Sequence, residues 1–152
     1  MLQHAYLHWP ENISSPLWPY AIKYANHLEN HLSLNNRCSG LSRLARFSGC
    51  KQKTDLKLQH TFGCPIFVLE APLQSHLSKT PRWDKRTRVG VYLGPSPVHA
   101  GNVALVLNPK TGHVSPQYHV VFDDAFSAID TIRNCQREVE TISLVNYEDC
   151  II

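Results

Sequence analysis

The sequence predicts an α+β protein: a small antiparallel β-barrel or sandwich preceded by one or two helices. Three observations carry that expectation. Four apolar, β-branched runs, at 64–69, 89–93, 103–107 and 118–122, lie close together within a chain of 152 residues. The breaks between them hold Pro72, Pro81, Gly94-Pro95, Pro97, Gly101, Asn108-Pro109, Gly112 and Pro116, residue types that bend a backbone. Upstream of about residue 36, the apolar residues recur instead at helical spacing. Short strands separated by such turns are the pattern of a small all-antiparallel unit.

Taken in order, Leu2, Ala5 and Trp9 share one helical face, and Pro10 ends that helix. Ser14-Ser15-Pro16 is a helix start, with Pro19 able to delay it, and Tyr20, Tyr24, Leu28 and Leu32 then form an apolar stripe. This stripe has no evident partner beyond the first short helix, so it should stay partly exposed or dock loosely on the barrel. Residues 37–59 lose the periodicity, contain Ser39-Gly40 and Ser48-Gly49, and carry Arg37, Arg43, Arg46, Lys51, Lys53 and Lys57, so they read as a basic linker. The barrel spans 60–124. Within it, side-chain alternation places Thr87, Val89, Val91 and Leu93 on one face, expected to be the core face. Arg86, Arg88, Gly90 and Tyr92 fall on the other. Asn108-Pro109-Lys110-Thr111-Gly112 should close a hairpin from 103–107 to 118–122, and Asp123-Asp124 should end the last strand. Residues 125–152 read as an acidic, mobile tail, with a short helix through Ile129, Ile132 and Val139 as the alternative.

Hydrophobic content of 43% and charged content of 18% are those of a globular chain and exclude wholesale disorder. The charge is unevenly placed. Residues 1–122 hold 13 Lys and Arg against 5 Asp and Glu, whereas residues 123–152 hold 2 against 7. A basic body points to a polyanionic partner. The five cysteines form no Cys-x-x-Cys pair and are odd in number, which suggests reduced thiols inside a cell. No apolar run approaches the roughly 20 residues of a membrane span, so no membrane partner is expected.

Most candidate sites have ordinary readings. His4 with His8, and His27 with His31, are spaced to share a helix face, but zinc needs four ligands, so they read as surface or packing histidines. There is no Gly-x-Ser-x-Gly elbow, no glycine-rich phosphate loop and no metalloprotease pattern. The remaining signal is Lys79, Arg82, Lys85, Arg86 and Arg88 around Trp83, opposed only by Asp84. Such cations neutralise phosphates, and an interleaved indole can stack on a base. These six residues are the candidate nucleic-acid-binding site.

The runs FGCPIFVLE and PRWDKRTRVGVYLGPSPVHAGNVALVLNPKTGHVSPQYHVVFDD resemble the C-terminal part of integrase from copia-type LTR-retrotransposon polyproteins. HAYLHWPENISSPLWPYAIKYANHLEN resembles the helices that close the RNase H-like integrase core. The resemblance implies an SH3-like β-barrel of the retroviral-polymerase type, behind a catalytic core that inserts element DNA using Mg and an Asp, Asp, Glu site. None of those carboxylates maps onto this chain, so the expectation is a non-catalytic fragment with no cofactor of its own. Its implied partners are DNA, bound with weak sequence selectivity, the missing integrase core, and further copies of itself. Its implied location is the nucleus or a virus-like particle. The competing expectations are an inert or protein-interaction relic and a free-standing metalloenzyme. One departure stands out: Leu41-Ser42-Arg43-Leu44-Ala45-Arg46 precedes Phe47-Ser48-Gly49 where relatives read Leu-Ser-Pro-x-Glu, which removes a turn former and suggests drift.

Overall fold

The computed structural model describes residues 1–9, 15–32, 40–50, 58–70, 81, 83, 85–132 and 134. Helix α1, Leu2–His8, carries the fully buried Ala5. Trp9 closes it, donating its backbone N–H to the Ala5 carbonyl and its indole N–H to the Gly63 carbonyl at 2.9 Å. A 3-10 turn, Ser15–Leu17, leads into α2, Trp18–His31. The α-helix therefore starts later than Ser14-Ser15-Pro16 suggests, and Pro19 sits in its first turn, where a missing N–H costs nothing.

Of the two outcomes expected for the apolar stripe of α2, the structure shows docking on the sheet. Leu17, Ala21 and Tyr24 are buried, Tyr20 and Leu28 pack beside them, and all join one core with the strands. Trp18 and Ile22 lie outside that stripe and stay exposed. Residues 37–59 are also more than a linker. Arg43–Ser48 form α3, capped by Ser42 Oγ accepting the Ala45 N–H at 3.2 Å and terminated by Gly49 in the left-handed region. Ser42 thus supplies a cap despite the departure from the Leu-Ser-Pro-x-Glu pattern. Arg43 pairs with Glu29 of α2 at 2.8 Å, which ties α3 to the longer helix.

Five strands follow: β1 Pro65–Leu69, β2 Thr87–Pro95, β3 Ala104–Leu107, β4 Val114–Gln117 and β5 Val120–Phe122. They form one antiparallel sheet in the order β4-β3-β2-β1-β5. The sheet is open, with β4 and β5 at its edges, where the sequence predicts a closed or nearly closed barrel. The Asn108–Gly112 turn does form: the Gly112 N–H donates to the Asn108 carbonyl, and the Asn108 side chain accepts the Lys110 N–H. It delivers the chain to β4, however, and not to 118–122. Leu105 pairs with Pro116, a residue read from sequence as a break; an edge strand tolerates it because that position owes no ladder N–H. A bend at Tyr118 and His119 then carries β5 to the far edge, where Ile66 pairs with Phe122 and Val68 with Val120.

The register adds a second core face to the one expected. Ile66 opposes Gly90, Val68 opposes Arg88, and Tyr92 opposes Val106, so the face carrying Arg88, Gly90 and Tyr92 is a core face. The expected core residues Val89, Val91 and Leu105 do belong to the core, with Val91 fully buried and the other two packed against the cluster. They lie on the opposite face from Ile66 and Val68, whose face Val120 and Phe122 share. From Gly90 to Gly94 every residue of β2 is buried, so both of its faces are covered. Helix α2 supplies part of that cover, with the Tyr24 ring meeting the Tyr92 ring edge-on at 5.7 Å. Beyond β5, the core continues into the segment expected to be mobile. Phe126 stacks on His8, Ile129 is buried, and Ile132 packs on the same cluster.

Candidate functional site

The antiparallel ladder between β1 and β2 ends where Leu69 faces Thr87, and one further bond runs from the Glu70 N–H to the Arg86 carbonyl at 3.0 Å. That last bond ties Arg86, near the end of the basic cluster, to the sheet. Lys85 and Arg86 are exposed, and Trp83, in a turn just before them, is 92% exposed. Arg88 is different. It is half-buried, because the register places it beside the fully buried Val68 at the rim of a core face. Lys79 and Arg82 lie outside the described residues. Of the six candidate residues, the structure therefore groups Trp83, Lys85 and Arg86 on one exposed end of the sheet and sets Arg88 apart from them. None of Lys85, Arg86 and Arg88 forms an ion pair with another described residue.

A second polar cluster escaped the sequence reading. His60 Nδ1 meets Asp124 Oδ2 at 2.8 Å, and the Thr61 N–H donates to Asp124 Oδ1 at 2.7 Å. The His60 ring lies flat on Phe122 with centroids 3.5 Å apart. Tyr92 hydrogen-bonds Tyr24, whose hydroxyl donates to the His60 carbonyl. Asp124 is not simply a strand end: it latches the chain after β5 to the chain before β1. Nothing local announces this pairing, since its partners are more than 60 residues apart in sequence.

Cys64, His60 and Asp124 have the residue types of a thiol triad. The geometry excludes one. Cys64 is fully buried, and its thiol bonds to the Asp124 carboxylate instead of to an imidazole. Burial, the nearby Asp124 charge and that bond all push the thiol up, so it stays protonated and unreactive. Burial likewise raises the Tyr24 phenol to about 12, which keeps it a donor. Beside the latch lies an open groove of about 440 Å³, lined by His4, Tyr24, Leu28 and His60 among others.

The carboxylates here should make stability depend on pH. Burial opposes ionisation of Asp124, but the bonds from His60 and the Thr61 N–H outweigh it and hold the carboxyl below its ordinary value. Asp123 is lowered chiefly by the Ala128 N–H. A depressed folded value contributes stability that is present above the unfolded value and is lost as pH falls through the folded one. Asp124→Asn should therefore cost about 1 kcal/mol near neutrality, a figure kept small because the carboxylate is half-exposed. Urea denaturation of wild type and variant should converge on going from about pH 6 to about pH 2. An unchanged gap at both would show that the charge of Asp124 is not what stabilises the latch.

The two histidine pairs behave as packing groups. His27 and His31 stack with centroids 4.1 Å apart, while His4 and His8 surround Phe126. Among the described residues, no group of three or more His, Cys, Asp or Glu is placed to hold a metal ion. Among them too, no helix is long and apolar enough to cross a membrane. No protein-family model, curated protein or solved structure matches the chain.

Proposed function

We propose that this chain is a non-catalytic nucleic-acid-binding module, the SH3-like end of a copia-type retrotransposon integrase, acting where element DNA is handled. The observation that carries the reading is the exposure of Trp83, Lys85 and Arg86, which lead into β2 without an ion pair to another described residue. Two long cations beside an indole offer phosphate neutralisation and a stacking surface together. The strand order supports the fold half of the reading. A β2-β3-β4 meander followed by a fifth strand that returns to pair with β1 is an arrangement from which a small five-stranded barrel could close.

Binding of this kind is dominated by the phosphate backbone, so it should discriminate little between sequences and weaken steeply with salt. The full chain with Lys85→Ala and Arg86→Ala should bind labelled duplex DNA more weakly. Its log–log salt dependence should flatten by up to about 0.9 for each phosphate no longer neutralised. Fluorescence anisotropy across a salt series reads both quantities. A folded double variant with unchanged affinity and slope would sink the proposal. Arg88 is a poorer choice for this test, since its position beside Val68 mixes packing with charge.

One observation favours a second reading. Edge strand β5 leaves Val121 66% exposed, and the adjoining Tyr118 57%, so a protein strand has an open edge to join. Binding to a protein partner that persists at high salt, with no DNA binding at low salt, would select that reading.

A further inference from the structure

Lys85 and Arg86 do not distinguish one nucleic acid from another, because every strand presents phosphates. Trp83 does. The chain has three tryptophans, and Trp9 is committed to the core, 4% exposed with its indole N–H on the Gly63 carbonyl. Trp18 lies half-exposed on α2. Trp83 leaves nearly its whole ring in water, in a turn three residues before the last bond of the β1–β2 ladder. Its ring faces are open, and Arg86, three residues on, is bonded to the sheet. An indole of this size forgoes substantial burial by remaining in water, and flat contact with another π-face would recover it.

We infer that the Trp83 ring stacks on an unpaired base, so that this site takes single-stranded nucleic acid in preference to duplex. The inference rests on the nucleic-acid reading above and narrows its ligand. In a duplex the base faces are already stacked on one another, and reaching one requires unstacking at a cost of a few kcal/mol. A single strand presents base faces at no such cost, with phosphates on either side for Lys85 and Arg86. Stacking is indifferent to base identity, which fits a site with no other base-reading group among its described residues. The 2′-hydroxyl has no role in it, so DNA and RNA single strands should bind alike.

The test uses the full chain and three probes of about 12 nucleotides or base pairs: oligothymidylate, oligouridylate and a mixed-sequence duplex. Wild type should bind both single strands more tightly than the duplex, with quenching of tryptophan fluorescence. Trp83→Ala should weaken single-strand binding by about tenfold to a hundredfold and abolish most of the quenching. It should leave duplex affinity within about twofold, since phosphate neutralisation does not involve the ring. Trp83→Phe should recover part of the single-strand affinity. Equal wild-type affinity for duplex and single strands, or an equal loss on both in Trp83→Ala, would overturn the stacking inference while leaving nucleic-acid binding standing. Absence of binding to all three probes at low salt would overturn the parent reading and this one with it. A difference between the two single strands would overturn the indifference to the sugar.

Discussion

Gly63→Ala should lower stability by about 3 kcal/mol or more, a large fraction of what a small domain possesses. Gly63 has a φ of +83°, in the left-handed region, where a side chain costs roughly 1–2 kcal/mol. A Cβ there would also lie 2.5 Å from the Ala5 Cβ and 3.2 Å from its Cα. The second of these atoms is backbone, so no rotamer change relieves the clash. Gly63 is moreover the joint between α1 and the sheet: its N–H donates to the Tyr92 carbonyl at 2.8 Å, and its carbonyl accepts the Trp9 indole. Moving it disturbs both bonds. Two substitutions separate the causes. Gly112→Ala has a similar φ of +70° but open space, and should cost only about 1 kcal/mol. Gly101→Ala has neither problem and should be close to neutral. Urea denaturation with a common slope checks the order; a Gly63→Ala midpoint no lower than that of Gly112→Ala would refute the clash.

Tyr24→Ala should cost about 3–5 kcal/mol, in the range of large core truncations. Tyr24 is only 2% exposed and packs on Phe62 and Tyr92, so its removal opens a cavity between α2 and the sheet. Its hydroxyl donates to the His60 carbonyl and bonds to Tyr92, so Tyr24→Phe should cost about 1–3 kcal/mol through polar groups left without a partner. Adding Tyr92→Phe to Tyr24→Phe should cost less than the two single effects combined, because both remove the same bond. If α2 were instead docked loosely, Tyr24→Ala would shift the denaturation midpoint little, and additivity would hold. The experiment bears on function too. The His60 latch and the Gly63 joint both lie at the end of β1 away from Trp83, so Tyr24→Phe should leave nucleic-acid binding by folded protein unchanged.

What could be read without the structure was local. Helical spacing in Leu2, Ala5 and Trp9, alternation in β2, and the Asn108–Gly112 turn each depend on residues within a few positions of one another. Helix α3 was local as well, with Ser42 and Gly49 as its start and stop, but a six-residue helix inside a basic, turn-rich stretch offers too few periodic positions to outweigh composition. Tertiary structure decided the rest. The run 118–122 has the residues of a strand, yet which edge it joins depends on β4 having already occupied β3, and β4 is four residues long with a proline inside it. The core face of β2 could not be chosen by alternation, because α2 and the neighbouring strands bury both faces between Gly90 and Gly94. Arg88 and Arg86 look equivalent in sequence, and only the pairing of Arg88 with Val68 separates them. The same holds for Asp124. A carboxylate after a strand looks like a solvated stop until chain closure brings His60 to within 2.8 Å of it. Residue type and short-range spacing act through the backbone of a few residues, whereas pairing, burial and latching are properties of segments that meet only once the chain has folded.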